Sequence, residues 1–192
     1  MITPSEFKKG LRILVDGDPY TIMQTVIETP SARGASSLAK VKIRNLRTGQ
    51  VFDKTFRTSE KFDEPDLERR PLQYLYHDGE QRIFLDMESY EQVGVTDEDL
   101  GDDGRYLSDG MELKALFFEG RILELELPAT LDYEVVEVEP GTKGDTAHGG
   151  ATKPAILSNG LHVAVPLFIQ VGERIRVSTK DGKFSERVKA GR

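Results

Sequence analysis

Thr29-Pro30-Ser31-Ala32-Arg33-Gly34-Ala35-Ser36-Ser37 joins two runs of different character. Before it, Tyr20-Thr21-Ile22-Met23-Gln24-Thr25-Val26-Ile27 is rich in β-branched residues. After it, Leu38-Ala39-Lys40-Val41-Lys42-Ile43-Arg44 alternates apolar and basic side chains. Two such runs around a short Pro/Gly/Ser segment read as a β-hairpin with a long tip. The tip holds almost no apolar side chain to anchor it to a core, so it is expected to project into solvent. Arg33, between Ala32 and Gly34, is its only charged side chain. Two readings stand: a surface loop with an incidental arginine, or a finger that presents one guanidinium at a distance from the body.

Outward from this hairpin, residues 7–56 read as short strands punctuated by turns. Arg12-Ile13-Leu14-Val15 meets Asp16-Gly17-Asp18-Pro19, a tight-turn sequence, and Arg47-Thr48-Gly49 precedes another strand over residues 50–56. Strands at this spacing with no amphipathic helix among them predict a small β-barrel. Period two places Lys40, Lys42 and Arg44 on one face and Val41 and Ile43 on the other. A row of cations leaving the finger suits a surface that tracks phosphates; it is equally what a solvated outer face would show.

Residues 61–71 are polar, contain two prolines and lack periodicity, which predicts a domain boundary with strands resuming at Leu72. Asp78-Gly79 between strand-like runs is a hairpin signal. Thr96 before Asp97-Glu98-Asp99 is a candidate N-cap for one short helix. The acids there and at Asp102 and Asp103 lack calcium-loop spacing, so capping and a solvated face account for them. Leu/Glu alternation over residues 123–127 predicts a half-buried strand with an acidic outer face. Beyond Ala129, strands are expected over residues 131–138, 161–166, 172–179 and 183–188. Residues 144–153 hold three glycines and no strand character. Arg174 and Arg176 share one face of their strand. A barrel of five short strands here fits an OB-type fold, which commonly binds oligonucleotides.

The net charge of −7 hides a segregation. Residues 1–57 carry ten Lys/Arg against five Asp/Glu, residues 62–139 six against twenty-three, and residues 140–192 nine against four. Two basic ends around an acidic middle argue for two anion-facing surfaces. The chain has no cysteine, which excludes thiol catalysis and disulfides. His77, His148 and His162 are scattered without ligand spacing, so no metal site is expected. No apolar run approaches the ~20 residues of a membrane span, and the N-terminus has no signal-peptide core. With no phosphate loop and no Ser/His pairing either, no enzyme activity and no cofactor are expected.

Several segments together resemble the bacterial elongation factor P family. They are Pro140-Gly141-Thr142-Lys143-Gly144-Asp145-Thr146-Ala147, Lys153-Pro154-Ala155-Ile156-Leu157-Ser158-Asn159-Gly160 and Val163-Ala164-Val165-Pro166-Leu167-Phe168-Ile169-Gln170-Val171-Gly172. Upstream, Lys42-Ile43-Arg44-Asn45-Leu46-Arg47-Thr48-Gly49, Lys54-Thr55-Phe56 and Tyr74-Leu75-Tyr76-His77-Asp78-Gly79 match in the same order. The resemblance spans the whole chain. It implies an all-β fold of three small barrels in an L-shaped, tRNA-like arrangement. Residues 1–64 would be an SH3-like barrel with the finger, 65–128 an acidic OB-like barrel, and 129–192 a C-terminal OB-like barrel.

The resemblance further implies a cytoplasmic, monomeric translation factor, clear of membranes. It would enter a stalled ribosome between the P and E sites and promote peptide-bond formation at consecutive prolines by positioning the P-site peptidyl-tRNA. Pro30, Ser31, Ala32, Arg33, Gly34 and Ala35 would point to the CCA end, and Lys40, Lys42 and Arg44 to the tRNA backbone. Gly144, Asp145, Thr146, His148, Gly149, Gly150 and Lys153 would approach the E-site mRNA codon, with Arg174 and Arg176 as further RNA contacts. Much of the family carries a lysine in a Pro-Gly-Lys-Gly tip that is β-lysylated, and another branch a rhamnosylated arginine. The tip here is about two residues longer and is similar to the elongation factor P-like paralogue subgroup, with the form Pro-x-Ala-Arg-Gly-Ala. Lysylation has no lysine to act on, which leaves a modifying enzyme acting on Arg33, or an unmodified Arg33. The rival reading is a generic single-stranded RNA-binding OB protein that would not use the finger.

Overall fold

The computed structural model describes residues 1–29, 36–140 and 150–189. The first sheet has four antiparallel strands in sequence order: β1 (Arg12–Val15), β2 (Asp18–Glu28), β3 (Leu38–Asn45) and β4 (Val51–Arg57). The Asp16-Gly17 turn closes the first hairpin with both φ angles positive, at 53° and 85°, a conformation that glycine adopts at little cost. Met23 is an extra residue in β2. Ile22 pairs with Ile43 and Gln24 with Lys42, so the ladder shifts by one and then runs on to its last pair, Glu28 with Leu38. Strict alternation in β3 buries Ala39, Val41, Ile43 and Asn45 and exposes the residues between them. Asn45 ends the strand: its buried Oδ1 accepts the backbone N–H of Arg47 at 2.7 Å and of Thr48 at 3.0 Å, which bends the chain into the next turn. Phe56 meets Phe7 and Phe62 edge to face and Phe7 lies tilted on Phe62, with centroids 4.7–6.3 Å apart, and the three close a core that otherwise comes from β1–β3.

The remaining described strands form two five-stranded sheets. The middle one, in the order β7-β6-β5-β8-β9, is built from β5 (Leu67–His77), β6 (Gln81–Asp86), β7 (Gln92–Thr96), β8 (Glu112–Phe118) and β9 (Arg121–Glu126). The C-terminal one, in the order β12-β11-β10-β13-β14, is built from β10 (Thr130–Val138), β11 (Thr152–Leu157), β12 (His162–Pro166), β13 (Arg174–Ser178) and β14 (Phe184–Arg187). The architecture is therefore all-β, as expected. One α-helical turn, α1 (Asp97–Leu100), starts where the sequence places it, with the Thr96 side chain accepting from the Asp99 N–H at 3.2 Å. Two local expectations are corrected. β5 begins at Leu67 rather than Leu72, because sheet pairing extends the strand through Pro71, whose carbonyl accepts from Met87. β11 begins at Thr152, inside the glycine-rich segment taken to lack strand character, and carries Pro154 in its pairing with β12.

The chain separates into two compact units: Met1–Arg69 with Leu116–Glu124, and Arg70–Ala115 with Leu125–Arg192. In the first, Arg47 is a structural strut. Its Nη2 donates to Glu119 Oε2 at 3.0 Å and its guanidinium stacks 5.1 Å from the Phe118 ring centre. Its Nε lies 3.2 Å from Asp18 Oδ1, an ion pair set off the line of a hydrogen bond. In the second, Tyr106 ends a 3₁₀ segment (Gly101–Tyr106) and is buried in the core of the C-terminal sheet with Tyr133, Val135, Leu157, Val165 and Ile175. The Tyr133 hydroxyl donates to the Tyr106 carbonyl, and burial pushes that phenol well above its ordinary pKa. Gly182 is tucked against this lock: a Cβ there would stand 3.1 Å from the Tyr106 hydroxyl.

Candidate nucleic-acid interface

Among the described residues, those singled out by the sequence fall on two cationic strand faces and on β11 and its start. On β3, Lys40, Lys42 and Arg44 lie exposed on one face, as period two requires. The directly opposite residues share that face. They are Val26, Gln24 and Thr21 on β2, and Thr55, Asp53 and Val51 on β4. Lys40 Nζ is 2.8 Å from Glu28 Oε1, and Lys42 Nζ is 3.8 Å from Asp53 Oδ1. Both pairs are solvent-exposed, and such pairs contribute only about 0–1 kcal/mol, so a phosphate can displace either carboxylate. The Arg44 side chain has no hydrogen-bond or ion-pair partner among the described residues.

The matching face of β13 is different. Arg176 Nε donates to Asp132 Oδ1 at 2.8 Å and Nη2 to Oδ2 at 3.1 Å, a bidentate pair, while Nη1 reaches Glu186 Oε1 at 2.6 Å. The Asp132 carboxyl is held below the usual aspartate range, first by the Arg176 hydrogen bonds against opposing burial, then by the charges of Arg176 and Arg174. Arg174 stands opposite Glu134 in the ladder and is exposed. Arg176 is thus engaged within the fold, and Arg174 is the member of the pair that faces solvent.

Pro30, Ser31, Ala32, Arg33, Gly34 and Ala35 lie outside the described residues, as do Gly144, Asp145, Thr146, His148 and Gly149. Gly150 is exposed just ahead of β11, and Lys153 sits within that strand opposite Val165. One face of β3 holds Lys40, Lys42 and Arg44 together; Arg174 and Arg176 belong to the other unit. One residue was missed by sequence reasoning. Arg12 on β1 pairs with Thr21, which pairs with Arg44, so the row Arg12–Thr21–Arg44–Val51 crosses all four strands on the cationic face. The only sequence signal was the polar position Arg12 holds against Ile13 and Val15. The register that joins it to Arg44, 32 residues away in sequence, exists only in the folded sheet. No group of three or more His, Cys, Asp or Glu residues with metal-holding geometry occurs among the described residues.

Comparison with known proteins places this geometry in context. Three family models match in chain order: the elongation factor P KOW-like domain over residues 3–62, the elongation factor P OB domain over 67–125, and the elongation factor P C-terminal domain over 131–187. The chain is 43% identical over 187 residues to elongation factor P of Moorella thermoacetica, covering 97% of this chain and 100% of that one. It is 42% identical over 189 residues to elongation factor P of Thermodesulfovibrio yellowstonii, covering 98% and 100%. Among solved structures, the eukaryotic translation initiation factor 5A from Methanococcus jannaschii shares the fold, with a TM-score of 0.52 and 22% identity over 65% of this chain and 94% of that one.

Proposed function

The chain belongs to the elongation factor P family, whose members are translation elongation factors rather than enzymes, and on that premise we propose how this one works. It binds the ribosome between the P and E sites in the cytoplasm and promotes peptide-bond formation at proline-type stalls by holding the P-site peptidyl-tRNA in a reactive geometry. The observation that carries this reading is the last pair of the β2–β3 ladder. Glu28 opposite Leu38 leaves the nine residues 29–37 to join the two strands at one end of the sheet that exposes Lys40, Lys42 and Arg44. A loop of that length can place its midpoint up to about 15 Å beyond the sheet. The cationic face then lies along the acceptor arm, and Arg33 reaches the CCA end.

Arg33 stays charged at any physiological pH and offers a planar fork of donors to phosphate and ribose oxygens. The contribution is one of orientation, with the bond-forming chemistry left to the ribosome. The longer tip supplies reach without modification. Gly150 and Lys153 belong to the segment that approaches mRNA in the E site, with Arg174 as the available cation of the C-terminal sheet.

Translation in vitro of a message encoding three consecutive prolines, with recombinant unmodified protein, tests this. The expected result is rescue by the wild type, near-complete loss with Arg33→Ala at an unchanged melting temperature, and partial recovery with Arg33→Lys. Full rescue by Arg33→Ala removes the finger from the mechanism, and rescue only after enzymatic modification removes the claim about reach. Equal binding to naked oligonucleotides and to ribosomes with an occupied P site would favour the generic RNA binder.

A further inference from the structure

The row that crosses the first sheet at Thr21 carries more than the strand-by-strand pattern suggests. Arg12 and Arg44 flank Thr21 on neighbouring strands, so their backbones stand about 10 Å apart at two strand spacings. Directly opposed residues of an antiparallel ladder project to the same side, which puts two long cationic side chains and a hydroxyl over one patch of sheet. Neither guanidinium has a hydrogen-bond or ion-pair partner among the described residues. This sets them apart from Lys40 and Lys42, which face Glu28 and Asp53, and from Arg47, which braces Asp18, Glu119 and Phe118. On the Leu14 side of the row a cavity of about 410 Å³ is lined by Glu64, Asp66, Glu68 and Glu119 together with Phe117 and Phe118. That acidic border repels phosphate and marks where a track of anions along the face must end.

We propose that Arg12 and Arg44, converging over Thr21, clamp a single phosphate of an RNA backbone. Two guanidiniums can each address a non-bridging oxygen in the fork geometry that phosphate favours, and the Thr21 hydroxyl offers a third donor. The favoured ligand is phosphate rather than carboxylate because residues 1–57 carry twice as many cations as anions, ten against five, and a phosphodiester presents its charge at regular intervals along a strand. The inference rests on the RNA-contact reading of this face. It specifies one phosphate held by two strands, with β3 continuing the contact through Lys42 and Lys40.

The test uses the full-length protein and a short A-form RNA hairpin, with the arginine Nε–H signals of Arg12 and Arg44 followed by NMR through the titration. Both signals are expected to move along one isotherm. Binding measured against salt should lose about one unit of log–log slope in Arg12→Ala, in Arg44→Ala and in the double variant alike, since all three forfeit the same phosphate. The double variant's loss of affinity should be clearly smaller than the sum of the singles. Arg12→Lys, which keeps charge without the fork, should recover part of the affinity and guards against a folding artefact. An unmoved Arg12 signal, or additive losses with a slope change of about two, overturns the single-phosphate clamp. Loss of ribosome affinity in Arg12→Ala without any response to the hairpin also overturns it, in favour of a protein carboxylate. No ribosome takes part in the titration, so failure of the stall-rescue reading leaves this result standing.

Discussion

The first and the C-terminal sheets carry nearly the same pattern on one strand: Lys40-Val41-Lys42-Ile43-Arg44 in one, Arg174-Ile175-Arg176-Val177 in the other. In both, the aliphatics are buried and the cations share the opposite face. The neighbours decide what the cations do. Beside β3 the flanking strands offer Gln24, Thr21 and Thr55, with carboxylates only in exposed pairs, so the face stays available to an outside anion. Beside β13 they offer Asp132 and Glu186, which take all three nitrogens of Arg176. The cores differ as well. The first sheet closes over residues from its own stretch of chain, with Phe7, Phe56 and Phe62 as its lid, whereas the C-terminal sheet takes Tyr106 from the segment ahead of it. Alternation in a sequence assigns a face; whether that face is free depends on strands it is not yet paired with.

The largest effect that would sharpen this comparison is on the C-terminal core. Tyr106→Ala removes a ring from a closed interior and should cost about 3–5 kcal/mol, measured by urea unfolding, with residues 129–192 alone failing to give a dispersed NMR spectrum. A stable isolated 129–192 fragment would break the contrast between a self-contained core and a shared one.

A smaller effect separates the two cationic faces. Arg176→Glu sets a carboxylate against Asp132 and Glu186 and should lower the melting temperature by several degrees. Arg44→Glu, on the open face, should stay within about 0.5 kcal/mol of wild type. Equal destabilisation by the two variants would mean that Arg44 is tied into the fold no less firmly than Arg176.

The gentlest probe is pH. Asp132 is depressed in the folded protein, so its contribution is fully present above the unfolded aspartate value of about 3.9 and is lost as pH falls through the lower folded value. The Asp132 carboxyl carbon, followed by NMR, should titrate below the ordinary range in the wild type and move back up towards it in Arg176→Ala. An unchanged midpoint in that variant would show that Arg176 does not hold the group.

Turn chemistry was the most legible part of the fold. Asp16-Gly17, Asp78-Gly79 and the Thr96 cap all act where the sequence puts them, because each is a local device that needs no distant partner. β5 across Pro71 and β11 across Pro154 were illegible for the opposite reason: pairing with a partner strand, rather than their own composition, makes them extended. At the site, the face holding Lys40, Lys42 and Arg44 was readable from period two. Arg12 joining that face, and the capture of Arg176 by Asp132, are register effects between segments far apart in the chain.

The extra residue at Met23 and the terminal pair Glu28–Leu38 have a consequence for how such a factor can diversify. The alignment of β2 with β3 is set entirely on the barrel side of that pair, by the bulge and by the buried Ile22, Ile43, Val41 and Ala39. Residues 29–37 are therefore an exchangeable cassette on a fixed mount. Residues can be added, removed or recoded there without slipping the sheet. The sequence of residues 29–37 and the cationic face of the sheet are in this sense separately heritable traits, and selection can retune the one without refolding the other.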